Sequence, residues 1–373
     1  MNEIFYNPQE YIRQLQSLLI SDKKKIGFLF GAGTSLALKK GASDKSKVPA
    51  IKELTESIVS EISKSEEGQE NKYKNALENI KEELEKKSLD FNIEYILSNV
   101  IQKKEIIGDG TLNGLNKAEF EELEKQIKKA IKEKVSVHNN KSEQDFLENL
   151  VHTDFAEWVG RADRKNPIEI FTTNYDFLFE MGLEHKNVPY YDGFVGGFEP
   201  FFDALSVENT KFSPHCTKLW KIHGSLGWTF DKNREKVLRK FPEDDKDILV
   251  YPSILKYSEA KKFPYISLTD RLSNFLKQDD TVLFVCGYSF GDAHINEVIL
   301  SALKTNTTSH VFVLYYDEYT ENNNKKYALQ KDSKLSKIAK ETKKISVYGM
   351  RNAVIGGVFG DWKLKFVCLQ RSP

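Results

Sequence analysis

Cysteine is scarce in this sequence. There are three in 373 residues, Cys216, Cys286 and Cys368, far apart and without a Cys-x-x-Cys pair. That spacing argues against a structural zinc ribbon, so no zinc is expected. The odd, sparse count fits a reducing compartment, and a cytoplasmic location is expected. No cluster of acidic metal ligands stands out, so no metal site is assigned. An excess of either charge is missing too: 55 basic residues stand against 55 acidic ones. Bulk charge therefore gives no footprint for nucleic acid, and direct nucleic-acid binding is not expected. No apolar run approaches the ~20 residues of a membrane helix, so no membrane association is expected. Glu3, Glu10 and Arg13 interrupt the apolar residues at the N-terminus, which does not read as a signal peptide. Internal repeats and low-complexity tracts are absent.

What is present is a globular profile, 40% hydrophobic and 29% charged, in a chain long enough for roughly two domains. Ile26–Phe30 is a short apolar run that reads as a buried strand, and it stops at Gly31-Ala32-Gly33-Thr34-Ser35. Glycines there let the backbone turn sharply and let a phosphate approach main-chain N–H groups. Thr34 or Ser35 is placed to cap a helix or bond a phosphate oxygen. The dinucleotide fingerprint wants a third glycine where Leu36 stands, so the turn alone is a weak signal against an ordinary strand-to-helix connection.

Apolar spacing predicts a helix over 8–20, and another carrying Ile51, Leu54, Ile58 and Ile62. From about 60 to 165 Glu and Lys dominate and apolar residues recur at three and four, as in Ile93, Ile96, Leu97 and Val100. This reads as a helical insertion or subdomain with solvated charged faces. Strand texture returns at Ile168–Phe171, before Thr172-Thr173-Asn174-Tyr175-Asp176, with a helix opening at Asp176. Residues 187–215 read as a loop-rich pocket wall. Lys218–Ile222 alternates and leads to His223-Gly224-Ser225; a hairpin-like region covers 228–247, and a short strand covers Ile248–Tyr251. A helix over 266–277 precedes the apolar strand Thr281–Cys286, which ends in Gly287-Tyr288-Ser289. Ser289 and Asp292 are spaced like a capping box before the next helix. His310–Tyr316 is a strand ended by Asp317. A charged helix over 324–340, a strand over 345–348 and a final strand over 362–369 complete the reading.

Alternating strands and helices predict an α/β fold, a Rossmann-like parallel sheet with helices on both faces, plus the helical insertion. The expected organisation is a core of 1–59 and 166–373 with a helical subdomain at 60–165. In such sheets ligands bind beyond the carboxyl ends of the strands. Four strands end similarly, at Gly31–Ser35, Thr173–Asp176, His223–Ser225 and Gly287–Ser289. Singly, each has a plain alternative: Asn174 and Asp176 as an Asx turn and cap, His223 as a structural histidine, Gly287 as a turn. Together at successive strand ends they point to one shared site.

The order Gly-Ala-Gly-Thr-Ser, Thr-Asn-Tyr-Asp, His-Gly-Ser, Gly-Tyr-Ser resembles the NAD-binding core of sirtuins. Phe-Thr-Thr-Asn-Tyr-Asp and Lys-Ile-His-Gly-Ser are the more specific pieces, and in this form they resemble the sirtuin-like NAD-degrading proteins of bacterial anti-phage defence. The resemblance covers about 26–35, 168–180, 218–226 and 281–316. Protein-deacylating sirtuins carry four zinc cysteines, absent here, and a glutamine where Thr173 stands in the cofactor loop.

The resemblance implies NAD+ as substrate. His223 would be the base, and Asn174 would orient water and a ribose hydroxyl, which suits the ionisation of imidazole and the acceptor and donors of a carboxamide. Gly31, Ala32, Gly33, Thr34 and Ser35 would cradle phosphates, Asp176 would lie near nicotinamide or support its loop, and Gly287, Tyr288 and Ser289 would touch phosphate or the adenosine half. Asp317 would accept adenine-ribose hydroxyls. The activity so implied is an NAD glycohydrolase acting in abortive infection. The alternatives are a sirtuin-type deacylase or ADP-ribosyltransferase and a non-catalytic NAD or ADP-ribose sensor. A homo-oligomer and a HerA-type ATPase partner are implied by the resemblance alone.

Overall fold

The computed structural model describes residues 4–39, 47–64, 71–140, 145–162, 164–209, 214–231, 233–241, 248–250, 264–316 and 329–363. In chain order the strands are β1 (Phe5–Tyr6), β2 (Lys25–Phe30), β3 (Glu169–Thr172), β4 (Tyr190–Tyr191), β5 (Phe194–Val195), β6 (Phe201–Phe202), β7 (Thr217–Lys221), β8 (Gly224–Asp231), β9 (Lys236–Arg239), β10 (Ile248–Val250), β11 (Thr281–Cys286), β12 (His310–Leu314), β13 (Ile345–Tyr348), β14 (Asn352–Ile355) and β15 (Val358–Trp362). The helices are α1 (Pro8–Leu19), α2 (Ala32–Ser35), α3 (Ile51–Ile62), α4 (Lys72–Lys86), α5 (Ile93–Ile106), α6 (Lys117–Val135), α7 (Phe146–Asn149), α8 (Val151–Gly160), α9 (Leu178–His185), α10 (Ala204–Glu208), α11 (Tyr265–Lys277), α12 (Ala293–Thr305) and α13 (Lys334–Thr342). Two compact units result. One comprises Met1–Phe30, Arg164–Phe171 and Arg271–Pro373; the other comprises Gly31–Asp163 and Thr172–Asp270.

The first unit is built on a large, mostly parallel sheet flanked by helices, in the order β1-β15-β14-β13-β12-β11-β2-β3. The pairs β2/β11, β11/β12 and β12/β13 are parallel, while β14 runs antiparallel to both its neighbours. β2 and β11 are buried along nearly their whole length, which is why they read as continuous apolar runs. One side-chain row crosses four neighbouring strands: Phe28 stacks on Phe284, Phe284 on Phe312, and Phe312 on Tyr348, with centroids 5.4, 5.5 and 5.9 Å apart. Such cross-strand aromatic pairs hold register as well as burying area. Gly27 is needed where α11 meets the sheet, because a Cβ there would lie 2.5 Å from the Phe275 ring.

In the second unit α3 to α7 share one hydrophobic core, and Leu178 of α9 and Leu226 of β8 belong to the same cluster. The Glu- and Lys-rich helices of this unit bury their apolar stripes in a cluster that includes chain beyond residue 172. Asparagines start several helices. Asn71, Asn92 and Asn116 each accept from backbone N–H groups of the first turn, and Asn116 makes a capping box with Glu119. The unit also holds an antiparallel sheet, β10-β8-β9-β6-β5, and a parallel pair, β4 and β7. The hairpin-like region appears as β8 and β9, while 187–215 contains the short strands β4, β5 and β6.

Two expected elements differ, and a third, the strand over 362–369, lies almost wholly outside the described residues. The charged helix starts at Lys334, where the Ser333 hydroxyl accepts from Ser336 N–H, not at 324; residues 324–328 lie outside those described. The end of the described chain is the hairpin β14–β15, complete by Trp362; 364–373 lie outside the description. Asp292, not Ser289, caps α12, accepting from His294 N–H, while the Ser289 hydroxyl accepts from Gly291 N–H.

Helices α8 and α9 cross closely at Gly182, where a Cβ would lie 2.8 Å from the His152 carbonyl group. The His152 ring is buried there, edge-on to Phe179 at 4.6 Å, and neither ring nitrogen has a partner among the described residues. Burial lowers its pKa from 6.5 to about 4. The unfolded chain therefore takes up this proton first as pH falls. The stability is fully present above pH 6.5 and is lost progressively as pH drops towards 4. Denaturant unfolding at pH 7.5 and 4.5 should show a loss of about 3 kcal/mol from this group, removed in His152→Leu.

Candidate functional site

β2 ends at Phe30, and Gly31 opens the one-turn helix α2 in an extended conformation, with no side chain to satisfy the first amides of the turn. Ala32 is exposed and Gly33 and Thr34 are half-buried, and the Thr34 N–H donates to the Gly31 carbonyl at 3.0 Å. Thr34 Oγ1 donates back to the Gly31 carbonyl at 2.7 Å, and neither Thr34 nor Ser35 caps the helix. Ser35 is buried and donates to Asp176 Oδ2 at 2.6 Å.

Asn174 reaches the same turn. Its Nδ2 donates to Ser35 Oγ at 2.7 Å and lies 3.1 Å from the Gly31 carbonyl and 3.3 Å from Thr34 Oγ1. Asp176 accepts from Ser35 on one oxygen and from Leu178 N–H at 3.1 Å on the other, so it also starts α9, two residues later than the sequence predicts. Thr173 is half-buried, and Thr172 Oγ1 accepts from Asn174 N–H. Tyr175, between the two, donates to Glu94 Oε1 of α5 at 2.7 Å. The Asn-Tyr-Asp element is thus held at every residue.

His223 lies in the turn between β7 and β8, and Gly224 after it has φ +92°, the left-handed region that favours glycine. Two backbone bonds clamp this turn to the Asn-Tyr-Asp element. Ile222 N–H donates to the Thr172 carbonyl at 2.8 Å, and Leu226 N–H to the Tyr175 carbonyl at 3.1 Å. Residues 223–225 therefore lie directly alongside 173–174. Asn174 and His223 are 7% and 9% exposed, nearly dry yet reachable. Gly31–Ser35, Thr172–Asp176 and the His223 turn thus converge within one compact unit.

Lys221 completes the group and was not singled out by its sequence. It is 3% exposed. Its ammonium donates to Glu180 Oε1 at 2.6 Å, to the Tyr175 carbonyl at 3.3 Å and to the Asp176 carbonyl, and it lies 5.1 Å from the centre of the Phe177 ring. Burial pushes the Glu180 carboxyl up, against the pull of Lys221. Lys218, in the same strand, is buried as well.

The Gly287 turn belongs to the other unit. Gly287 has φ +65° and is exposed, as is Ser289. The Tyr288 hydroxyl lies 3.1 Å from the Asp292 carbonyl and 3.0 Å from Asn296 Oδ1, and Asn296 Nδ2 donates to the Phe290 carbonyl, so the tyrosine braces its own turn. Asp317 lies outside the described residues.

Residues 168–338 match the SIR2-like domain. The matched range holds Thr173, Asn174, Asp176, His223 and Gly287–Ser289. It leaves out Gly31–Ser35 and all of the helical stretch 60–165. No curated protein matches the chain. A SIR2-like domain fits NAD-related activity. Among the described residues, no helix is long and apolar enough to cross a membrane.

Removing one partner of a buried ion pair leaves the other charge desolvated. Lys221→Met should cost about 3–5 kcal/mol in denaturant unfolding, whereas Lys221→Met with Glu180→Leu should recover a large part of that loss.

Proposed function

We propose that the protein is an NAD glycohydrolase that releases nicotinamide and ADP-ribose. The observation carrying this reading is the double clamp that sets the His223 turn alongside Asn174, with Asn174 in turn bonded to the glycine turn. NAD+ as substrate supplies a glycosidic bond whose leaving group departs neutral, so the site needs no strong acid. The amides of Ala32 and Gly33 bind phosphate oxygens, while Thr34 N–H closes the turn on the Gly31 carbonyl. Asn174 commits its amide nitrogen to the turn, which leaves Oδ1 to orient a water or a ribose hydroxyl. His223 takes the proton of that water at an imidazole nitrogen, a contribution of typically 10²–10⁴-fold. Asp176 holds Ser35 and the start of α9, and so supports the loop. Thr173 faces the cofactor from the same loop, Gly287, Tyr288 and Ser289 contact phosphate or adenosine, and Asp317 accepts adenine-ribose hydroxyls.

The resemblance to NAD-degrading defence proteins supports a role in anti-phage abortive infection, as a cytoplasmic homo-oligomer working with a HerA-type ATPase. Light scattering and co-purification with that ATPase test the assembly. Incubation of the pure protein, alone and with the partner, should release free nicotinamide from NAD+. His223→Ala should lower the rate by about 10²-fold or more with its unfolding transition preserved. Asn174→Ala should abolish turnover as well. Full turnover in either variant overturns the roles assigned here, and a protein that binds NAD+ without releasing nicotinamide is a sensor instead.

A further inference from the structure

Burial of Lys221 calls for a reason beyond packing. Leu219, Trp220 and Ile222 beside it are buried apolar residues, and a fourth would fill the same space without the cost of drying an ammonium. What an ammonium adds is three N–H donors. Here they meet three acceptors in the chain that follows Asn174: the Tyr175 carbonyl at 3.3 Å, the Asp176 carbonyl, and Glu180 Oε1 at 2.6 Å in the first turn of α9. Glu180 also lines a cavity of about 980 Å³ with Ser225 in its wall, but the other carboxylates of that wall are held by the chain itself: Asp192 by Arg239, Glu199 by Arg234, and Glu184 by the Tyr190 hydroxyl. The buried pair is thus explained by the loop it binds, not by a ligand.

Where these bonds fall in the chain is the decisive observation. Lys221 stands two residues before His223, and the carbonyls it holds belong to the two residues after Asn174. The Tyr175 carbonyl also accepts from Leu226 N–H at 3.1 Å, so one oxygen takes a donor from each side of the His223 turn. Ahead of Asn174, Ile222 N–H donates to the Thr172 carbonyl at 2.8 Å. Asn174 is thereby bracketed by ties to the His223 segment, and the ammonium carries the last of them, at Asp176. Displacing a reacting group by about 1 Å can cost about 10²-fold in rate.

We propose, on the roles given above to Asn174 and His223, that Lys221 is a positioning residue: its ammonium holds the Asn174 loop against the His223 turn, and turnover depends on that hold. The amides assigned to phosphate, those of Ala32 and Gly33, lie on a different segment, so binding of NAD+ should survive its loss. Lys221→Met with Glu180→Leu removes both charges together and is compared with wild type in nicotinamide release and in amide hydrogen exchange. The folded pair variant should show a kcat about 10²-fold lower with KM for NAD+ little changed. Its Leu226 amide should exchange at least about tenfold faster. A merely structural lysine would return kcat along with stability. Should that variant not fold, Lys221→Gln with Glu180→Gln, which keeps polar atoms in the same space, carries the same expectations. Wild-type kcat in a folded pair variant, a loss carried by KM instead of kcat, or unchanged exchange at Leu226 overturns the inference. Wild-type protein that releases no nicotinamide overturns the glycohydrolase reading instead, and Leu226 exchange then decides by itself whether Lys221 holds the loop.

Discussion

A single hydroxyl joins the parts of this site. Ser35 Oγ accepts from Asn174 and donates to Asp176, so one buried atom ties the glycine turn to both polar residues of the Asn-Tyr-Asp element. Each partner then has a second duty: Asn174 steadies the Gly31 carbonyl, and Asp176 starts α9. Because all three groups are buried, an unmade bond in this chain would be expensive, and the arrangement has little freedom to slip. The His223 turn is brought in by backbone bonds on either side of it.

Lys221 adds a charge to the same frame. A buried ammonium is held only where acceptors surround it, and here two carbonyls and a carboxylate do so. Its presence makes the loop after Asn174 an electrostatic feature as well as a turn. It also leaves Glu180 with one oxygen engaged and one buried without a hydrogen-bond partner among the described residues. The same pair therefore serves the loop on one side and shapes the adjoining cavity on the other.

The helical stretch that follows the glycine turn takes part in this organisation. Tyr175 reaches Glu94 of α5, and Leu178 and Leu226 pack into the helical core. These helices thus serve as the foundation on which the polar loop rests. Packing of their apolar stripes, together with asparagine caps, is sufficient reason for the helices to form.

The amino-acid sequence by itself determined the period of most elements, because burial imposes a repeat of two or 3.6 that local residues must obey. It likewise marked the glycine turn, the Asn-Tyr-Asp and His-Gly-Ser elements, and the resemblance that carries the functional reading. It could not disclose which distant groups meet. Ser35 finds Asn174 and Asp176 139 and 141 positions away, and nothing local encodes that distance. Only tertiary structure buried Lys221, moved the start of α9 to Leu178, and set Ser225 in the wall of a cavity. Each depends on long-range packing, which decides what surrounds a side chain, whereas sequence decides only what that side chain can do once surrounded.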